Sequence, residues 1–118
     1  MMYKIEAYVR EEKFEDVKKA LDDLNVNGLT VYQVMGCGIQ RGYQEIVRGM
    51  EVDMQMQPKV KFEIAVSSEE WAEKTVDAIQ KAAYTGDVGD GKIFTYEIRS
   101  ALKIRTKETG YDAIQESE

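Results

Sequence analysis

At 118 residues, 43% hydrophobic and 32% charged, the chain has the size and composition of one ordinary soluble folded domain. A formal net charge of −6 argues against a nucleic-acid surface. The absence of histidine excludes every chemistry that needs an imidazole as base, nucleophile or metal ligand, the Ser-His-Asp hydrolases among them.

Tyr3, Ile5, Ala7 and Val9 alternate with Lys4, Glu6 and Tyr8, which predicts a half-buried strand. Phe14, Val17, Ala20, Leu21 and Leu24 follow at helical spacing, with Glu15, Asp16, Lys18 and Lys19 facing outward. Asn27-Gly28 is a turn signal, and Leu29 to Met35, rich in β-branched and aromatic residues, predicts the second strand. From about residue 37 to 57 no period holds. A connection of that length is long for a small domain, and Met50, Met54 and Met56 suit an adaptable contact surface or local core filling.

The second half repeats the plan. Val60, Phe62, Ile64 and Val66 alternate with charged residues. Ser67-Ser68-Glu69-Glu70 marks a helix start, a hydroxyl cap followed by acids. Trp71, Thr75, Val76, Ile79, Ala82 and Ala83 form the helical stripe, Gly86 suits a left-handed C-terminal residue, and Ile93 to Ile98 predicts the fourth strand. The order βαβ–βαβ implies an α+β, ferredoxin-like sandwich: one antiparallel sheet, two helices on one face, and a long loop between strands 2 and 3. A single domain over residues 1–118 is expected, with a tail from about residue 111 to 118.

No apolar run approaches the roughly 20 residues that span a bilayer, so no membrane insertion is expected. Charges interrupt the start at once, so no signal segment is expected, and the lone Cys37 fits a reducing cytoplasm, the expected location.

The sharpest local feature is Thr85-Gly86-Asp87-Val88-Gly89-Asp90-Gly91-Lys92. It matches the G-x-x-x-x-G-K core of a phosphate-binding loop, but Ile93 stands where a magnesium-holding Ser or Thr is needed. The loop also follows a helix and precedes a strand, the reverse of the NTPase order, so a P-loop NTPase is rejected. Clustered glycines still let N–H groups approach an anion, with Lys92 supplying charge; a plain glycine-rich turn is the other reading. Lys103-Ile104-Arg105, read as a short extended stretch, puts two cations on one side, either as a polyphosphate clamp or as a solvated edge.

Taken together, these blocks resemble the PII nitrogen-regulatory signal-transduction proteins over nearly the whole chain. The matching stretches are Gly28 to Val31, Gly36-Cys37-Gly38-Ile39-Gln40-Arg41-Gly42, Arg48-Gly49-Met50-Glu51 and Pro58-Lys59-Val60-Lys61. They continue with the glycine loop through Phe94 and with Ile104 to Gly110.

The resemblance implies a homotrimer with ATP or ADP held in the clefts between subunits. Gly89, Asp90, Gly91 and Lys92 would cradle phosphates, Lys103 and Arg105 would reach them from the other wall, and Thr30, Gly38, Ile39 and Ala65 would meet adenine and ribose. It further implies that Mg2+, carried by the nucleotide and Gln40, supports binding of 2-oxoglutarate by Gln40 and Lys59. The long connection, about residues 37–57, becomes the T-loop. Arg48, Met50, Val52 and Met54 on it would touch protein targets: an ammonium channel, a nitrogen-metabolism enzyme or a transcription regulator.

Departures from the family pattern matter as well. Val52 and Val47 replace the loop tyrosines, so uridylylation has no phenolic oxygen to use, and Met50 replaces the phosphorylated serine of some relatives. Ile39 replaces a commonly basic residue and Lys103 a common arginine, which keeps a second reading open: a PII-like sensor of a different carboxylate or adenine nucleotide. Nothing supplies a positioned general base, so a regulatory binding protein is expected rather than an enzyme, with at most slow ATP turnover.

Overall fold

The computed structural model describes residues 1–26, 28–38 and 55–114. The first strand, β1 (Met2–Arg10), follows the expected alternation: Ile5, Ala7 and Val9 are buried under the helices, and Lys4, Tyr8 and Arg10 lie on the opposite face. One turn of 3-10 helix (Glu11–Lys13) leads into α1 (Phe14–Asp23), which buries Val17 and Leu21, four residues apart and so on one face. The helix closes on Asn25, ahead of the Asn27-Gly28 turn signal, of which Asn27 lies outside the described residues. Asn25 takes a left-handed φ of 61°, its N–H bonds the Asp22 carbonyl (2.9 Å), and the Val26 N–H bonds the Leu21 carbonyl (2.9 Å). That pair of bonds is the Schellman closure, and asparagine is the residue besides glycine that tolerates it best.

Strand β2 (Leu29–Gly38) and strand β3 (Gln55–Val66) pair antiparallel from Leu29↔Ile64 to Gly38↔Gln55. The ladder therefore runs into the stretch 37–57, and the loop residues Ile39, Gln40, Arg48, Met50, Val52 and Met54 lie outside the described residues. Helix α2 (Glu69–Ala83) starts as expected: Ser68 Oγ accepts the Trp71 N–H at 3.2 Å, with Glu69 and Glu70 in the first turn. Its inner face is Ala72, Thr75, Ile79 and Ala83, with Val76 and Ala82 half-buried beside it; the expected stripe holds except at its first residue, where Trp71 is 38% exposed and Ala72 is buried instead. The helix gives way at Tyr84 to extended backbone, so Gly86, despite its φ of +93°, belongs to the following loop and does not close the helix.

Strand β4 (Lys92–Ile98) completes a sheet of order β2-β3-β1-β4, antiparallel throughout, and a short helix, α3 (Tyr111–Ile114), ends the described chain. This is the ferredoxin-like sandwich. Phe62, Ile5, Leu21, Ile64 and Ile79 fill the layer between sheet and helices, and Phe14 stacks on Phe62 at 5.7 Å. Among the described residues no helix is long and apolar enough to cross a membrane.

One core residue is costly. The Thr75 hydroxyl is fully buried and makes no hydrogen bond among the described residues. Replacing it by the near-isosteric valine removes an unpaired polar group, so Thr75→Val is expected to raise stability by about 1 kcal/mol in a denaturant titration.

Candidate functional site

The register gathers three cations and a glycine loop at one end of the face that the helices leave open. Arg10, the last residue of β1, stands opposite Lys59 on β3, and Tyr8 stands opposite Lys92, the first residue of β4. The loop 85–91, which feeds β4, arrives at the same end.

That loop is built around Asp90. One carboxylate oxygen, Oδ2, accepts the backbone N–H groups of Thr85 (2.8 Å) and Gly86 (2.9 Å). The other, Oδ1, accepts the Thr85 hydroxyl and Arg10 Nε (3.0 Å). The Thr85 hydroxyl, donor in that bond, also accepts the Asp87 N–H at 3.1 Å. Donors this numerous favour the ionised form: the Thr85 hydroxyl first, then the Thr85 and Gly86 N–H groups and Arg10, hold the Asp90 carboxyl well below the usual carboxylate range. Gly86, Gly89 and Gly91 all carry positive φ, a conformation that side chains resist. Two basic side chains tie the loop to the sheet from behind. Arg10 Nη2 donates to the Val88 carbonyl (2.9 Å), and Lys59 Nζ donates to the Gly89 carbonyl. Partial burial lowers the Lys59 pKa and the neighbouring Arg10 guanidinium lowers it further, against the opposing pull of Asp90 and Glu12.

Further along the open face the charges are balanced. Lys61 bridges Glu63 (3.2 Å) and Glu6 (3.5 Å), and Lys4 pairs with Glu6 at 3.1 Å. The Glu63 hydrogen bond leads the causes that push the Lys61 pKa up to about 12. A roomier groove of 420 Å3 between α2 and the β1–β4 edge is rimmed by Glu69, Glu73 and Asp77, which repel a polyphosphate. Among the described residues no group of three or more acidic or cysteine side chains converges as a metal site.

The other expected site residues fall elsewhere. Thr30 stands opposite Glu63, and Ala65 opposite Lys4, four β1 residues from the Lys92 position, or roughly 13 Å along the strand. Gly38 ends the β2–β3 ribbon. Lys103 and Arg105 are not on an extended stretch: residues 104–106 form a turn, closed by the Leu102↔Thr109 bridge and the Lys103 N–H to Glu108 carbonyl bond of 2.8 Å. Lys103 also pairs with Glu108 at 3.6 Å, so alternation no longer argues that the two cations share a side. One chain thus brings together Gly89, Asp90, Gly91, Lys92 and Lys59, while Thr30 and Ala65 stand farther along the sheet.

The chain as a whole has known relatives. The family model described as Nitrogen regulatory protein P-II matches residues 2–108. The chain belongs to the P-II family. It is 50% identical over 113 residues to Nitrogen regulatory protein P-II 1 of Methanothermobacter thermautotrophicus, covering 96% of this chain and 97% of that one. Among solved structures it is similar to a B. subtilis GlnK–ATP complex (34% identity, TM-score 0.78, 95% of this chain and 94% of that one). It is likewise similar to Arabidopsis thaliana PII bound to citrate (33% identity, TM-score 0.74, 95% and 91%).

Within this P-II chain, sequence reasoning missed Arg10. A cation ending a strand carries no local signal, and its partners lie about 80 positions away. Asp90, expected among the phosphate ligands, turns its carboxylate into its own loop, which leaves main-chain N–H groups to face an anion.

Proposed function

We propose that this P-II chain is a nitrogen-status sensor that binds ATP or ADP at the loop 85–91 with Lys92. The observation that carries this reading is a glycine loop already held in one shape by Asp90, Arg10 and Lys59 beside an exposed lysine. A site set before the ligand arrives has less ordering to offset on binding. Gly89, Asp90 and Gly91 then offer N–H groups to phosphates. The wide spacing of Thr30 and Ala65 from the loop supports a site completed by a second copy, with Thr30, Gly38, Ile39 and Ala65 toward adenine and Lys103 and Arg105 toward the phosphates. A homotrimer is the assembly this reading takes.

With nucleotide bound, Mg2+ rides on its phosphates and on Gln40, and 2-oxoglutarate binds through Gln40 and Lys59. Lys59 lies against the loop carbonyl of Gly89, so carboxylate and phosphate would meet across one short distance. The T-loop, with Arg48, Met50, Val52 and Met54, then selects protein targets among ammonium channels, nitrogen-metabolism enzymes or transcription regulators, because each ligand contacts its states differently. The citrate named with the Arabidopsis relative supports a second reading, in which another carboxylate takes the place of 2-oxoglutarate.

Calorimetry with ADP, Mg-ATP and 2-oxoglutarate tests both. The expected result is nucleotide binding alone, and 2-oxoglutarate binding only with Mg-ATP present. Lys59→Ala should weaken 2-oxoglutarate by at least about tenfold, the worth of one charge-assisted bond, and weaken ATP less. No binding of either nucleotide would remove the sensor reading; equal loss of ATP and 2-oxoglutarate would remove Lys59 from the carboxylate site.

A further inference from the structure

We infer that Arg10 is a positioning residue for nucleotide phosphates: it turns the loop's N–H groups toward the ligand without touching the ligand itself. The inference rests on the nucleotide reading above and adds to it the device that shapes the site.

The geometry is as follows. Arg10 ends a strand hydrogen-bonded on both sides; its own backbone is paired with Lys59 of β3, two residues beyond Tyr8, where the ladder with β4 stops. Its guanidinium fork is divided between two acceptors of the loop, the Asp90 carboxylate at 3.0 Å and the Val88 carbonyl at 2.9 Å. It also lies close against Gly89, where an added Cβ would meet Nη2 at 3.3 Å. Lys59 holds the next carbonyl, that of Gly89. The two carbonyls at the loop's apex are thus both drawn back toward the sheet.

No peptide bond in the described chain is cis. In a trans peptide the C=O and N–H vectors are opposed. Pulling the Val88 and Gly89 carbonyls backward therefore aims the N–H groups of Gly89 and Asp90 forward, away from the sheet. The Gly89 N–H donates no hydrogen bond among the described residues, and the Asp90 N–H is engaged only loosely, in the tight turn over residues 88 and 89. Adjacent N–H groups so placed form an anion-binding concavity. Arg10, meanwhile, directs its Nε and one Nη2 donor at Asp90 and Val88, and Asp90 offsets its charge. A planar fork suits this task, since it serves a carboxylate and a carbonyl at once.

The test compares ADP with adenosine, which lacks phosphate, on the full chain. Arg10→Gln should weaken ADP about tenfold and leave adenosine unchanged. Combining it with Asp90→Asn should cost little beyond the worse single variant, because both act through one loop. Arg10→Lys keeps the charge but not the fork and should recover only part of the loss. In the free protein, hydrogen exchange at the Thr85 and Gly86 amides should quicken in Arg10→Gln while β1 and β3 amides stay protected. Unchanged ADP affinity, equal loss of adenosine, additive effects or full recovery by lysine would each overturn the inference. If the unaltered protein binds no ADP, the nucleotide reading fails, and unchanged exchange at Thr85 and Gly86 would then overturn the positioning role as well.

Discussion

Gly91→Ala should abolish nucleotide binding and lower the melting temperature by roughly 10 °C. Gly91 holds φ +105°, where an L side chain is strained, and a Cβ there would lie 2.8 Å from the Tyr8 carbonyl carbon and inside the contact distance of its oxygen. Neither side can yield. Tyr8 sits mid-sheet, paired with Lys61 on β3 and Lys92 on β4, and Gly91 is the hinge between the Asp90 knot and the start of β4. Backbone strain and overlap of this kind cost about 2–4 kcal/mol, and each kcal/mol moves the melting point of a domain this size by about 3–6 °C. To relieve the overlap the loop must swing off β1, which would separate Asp90 from Arg10. Gly110→Ala is the matched control: its φ is +65°, but a Cβ there meets nothing within 4 Å. Melts at one fixed protein concentration, followed by ADP calorimetry, measure both effects. A Gly91→Ala protein that melts with the Gly110→Ala control would show that the loop's path along Tyr8 is not fixed.

The contrast between these two glycines also shows what a sequence can say. Both stand in regions rich in turn residues, and composition alone gives no reason to separate them; only the Tyr8 backbone behind Gly91 does. The elements themselves were largely legible because their signals are local. The two-residue period of β1 and β3, the Val17–Leu21 stripe and the Ser68 cap each express an interaction within a few residues, and each is present in the structure. Where the reading slipped, a competing local choice decided the matter. Asn25 closes α1, which no local signal announces, because its left-handed turn lets its own N–H and that of Val26 reach the free carbonyls of Asp22 and Leu21. Trp71 stays at the rim of α2, where the small Ala72 fits the sheet more closely. The bonds of Lys103 with Glu108 and Lys107 convert an apparent strand into a turn.

The site was legible in its parts and not in its construction. Glycines followed by a lysine announce room for an anion, whereas the posts that hold the loop come from the ends of β1 and β3. Arg10 and Lys59 are neighbours only through the register Arg10↔Lys59, a consequence of the whole sheet. The role of Asp90 follows the same logic. A carboxylate facing phosphate would be repelled; four donors directed at it make an inward turn the lower-energy choice.

That inward turn has a consequence at acid pH. Asp90→Asn should weaken ADP about thirtyfold, since an amide offers one acceptor oxygen where the loop needs two, and its NH2 would face the Thr85 and Gly86 N–H groups or Arg10. It should also flatten part of the acid unfolding profile. A carboxyl whose pKa is depressed by folding contributes stability that is fully present above its unfolded value, near 3.9, and is lost as pH falls through the folded value. The unaltered protein should therefore lose stability below about pH 4 partly because Asp90 takes up a proton and releases Thr85, Gly86 and Arg10. An asparagine cannot titrate, so the variant starts less stable at neutral pH, and the gap between the two proteins narrows as the pH drops from about 4 toward 2. Denaturant midpoints at pH 7, 4, 3 and 2 measure the gap, with ADP calorimetry at pH 7 beside them. A gap that stays constant across that range would mean Asp90 is not held ionised by the loop, and the knot that shapes the phosphate site would have to be assigned to other residues.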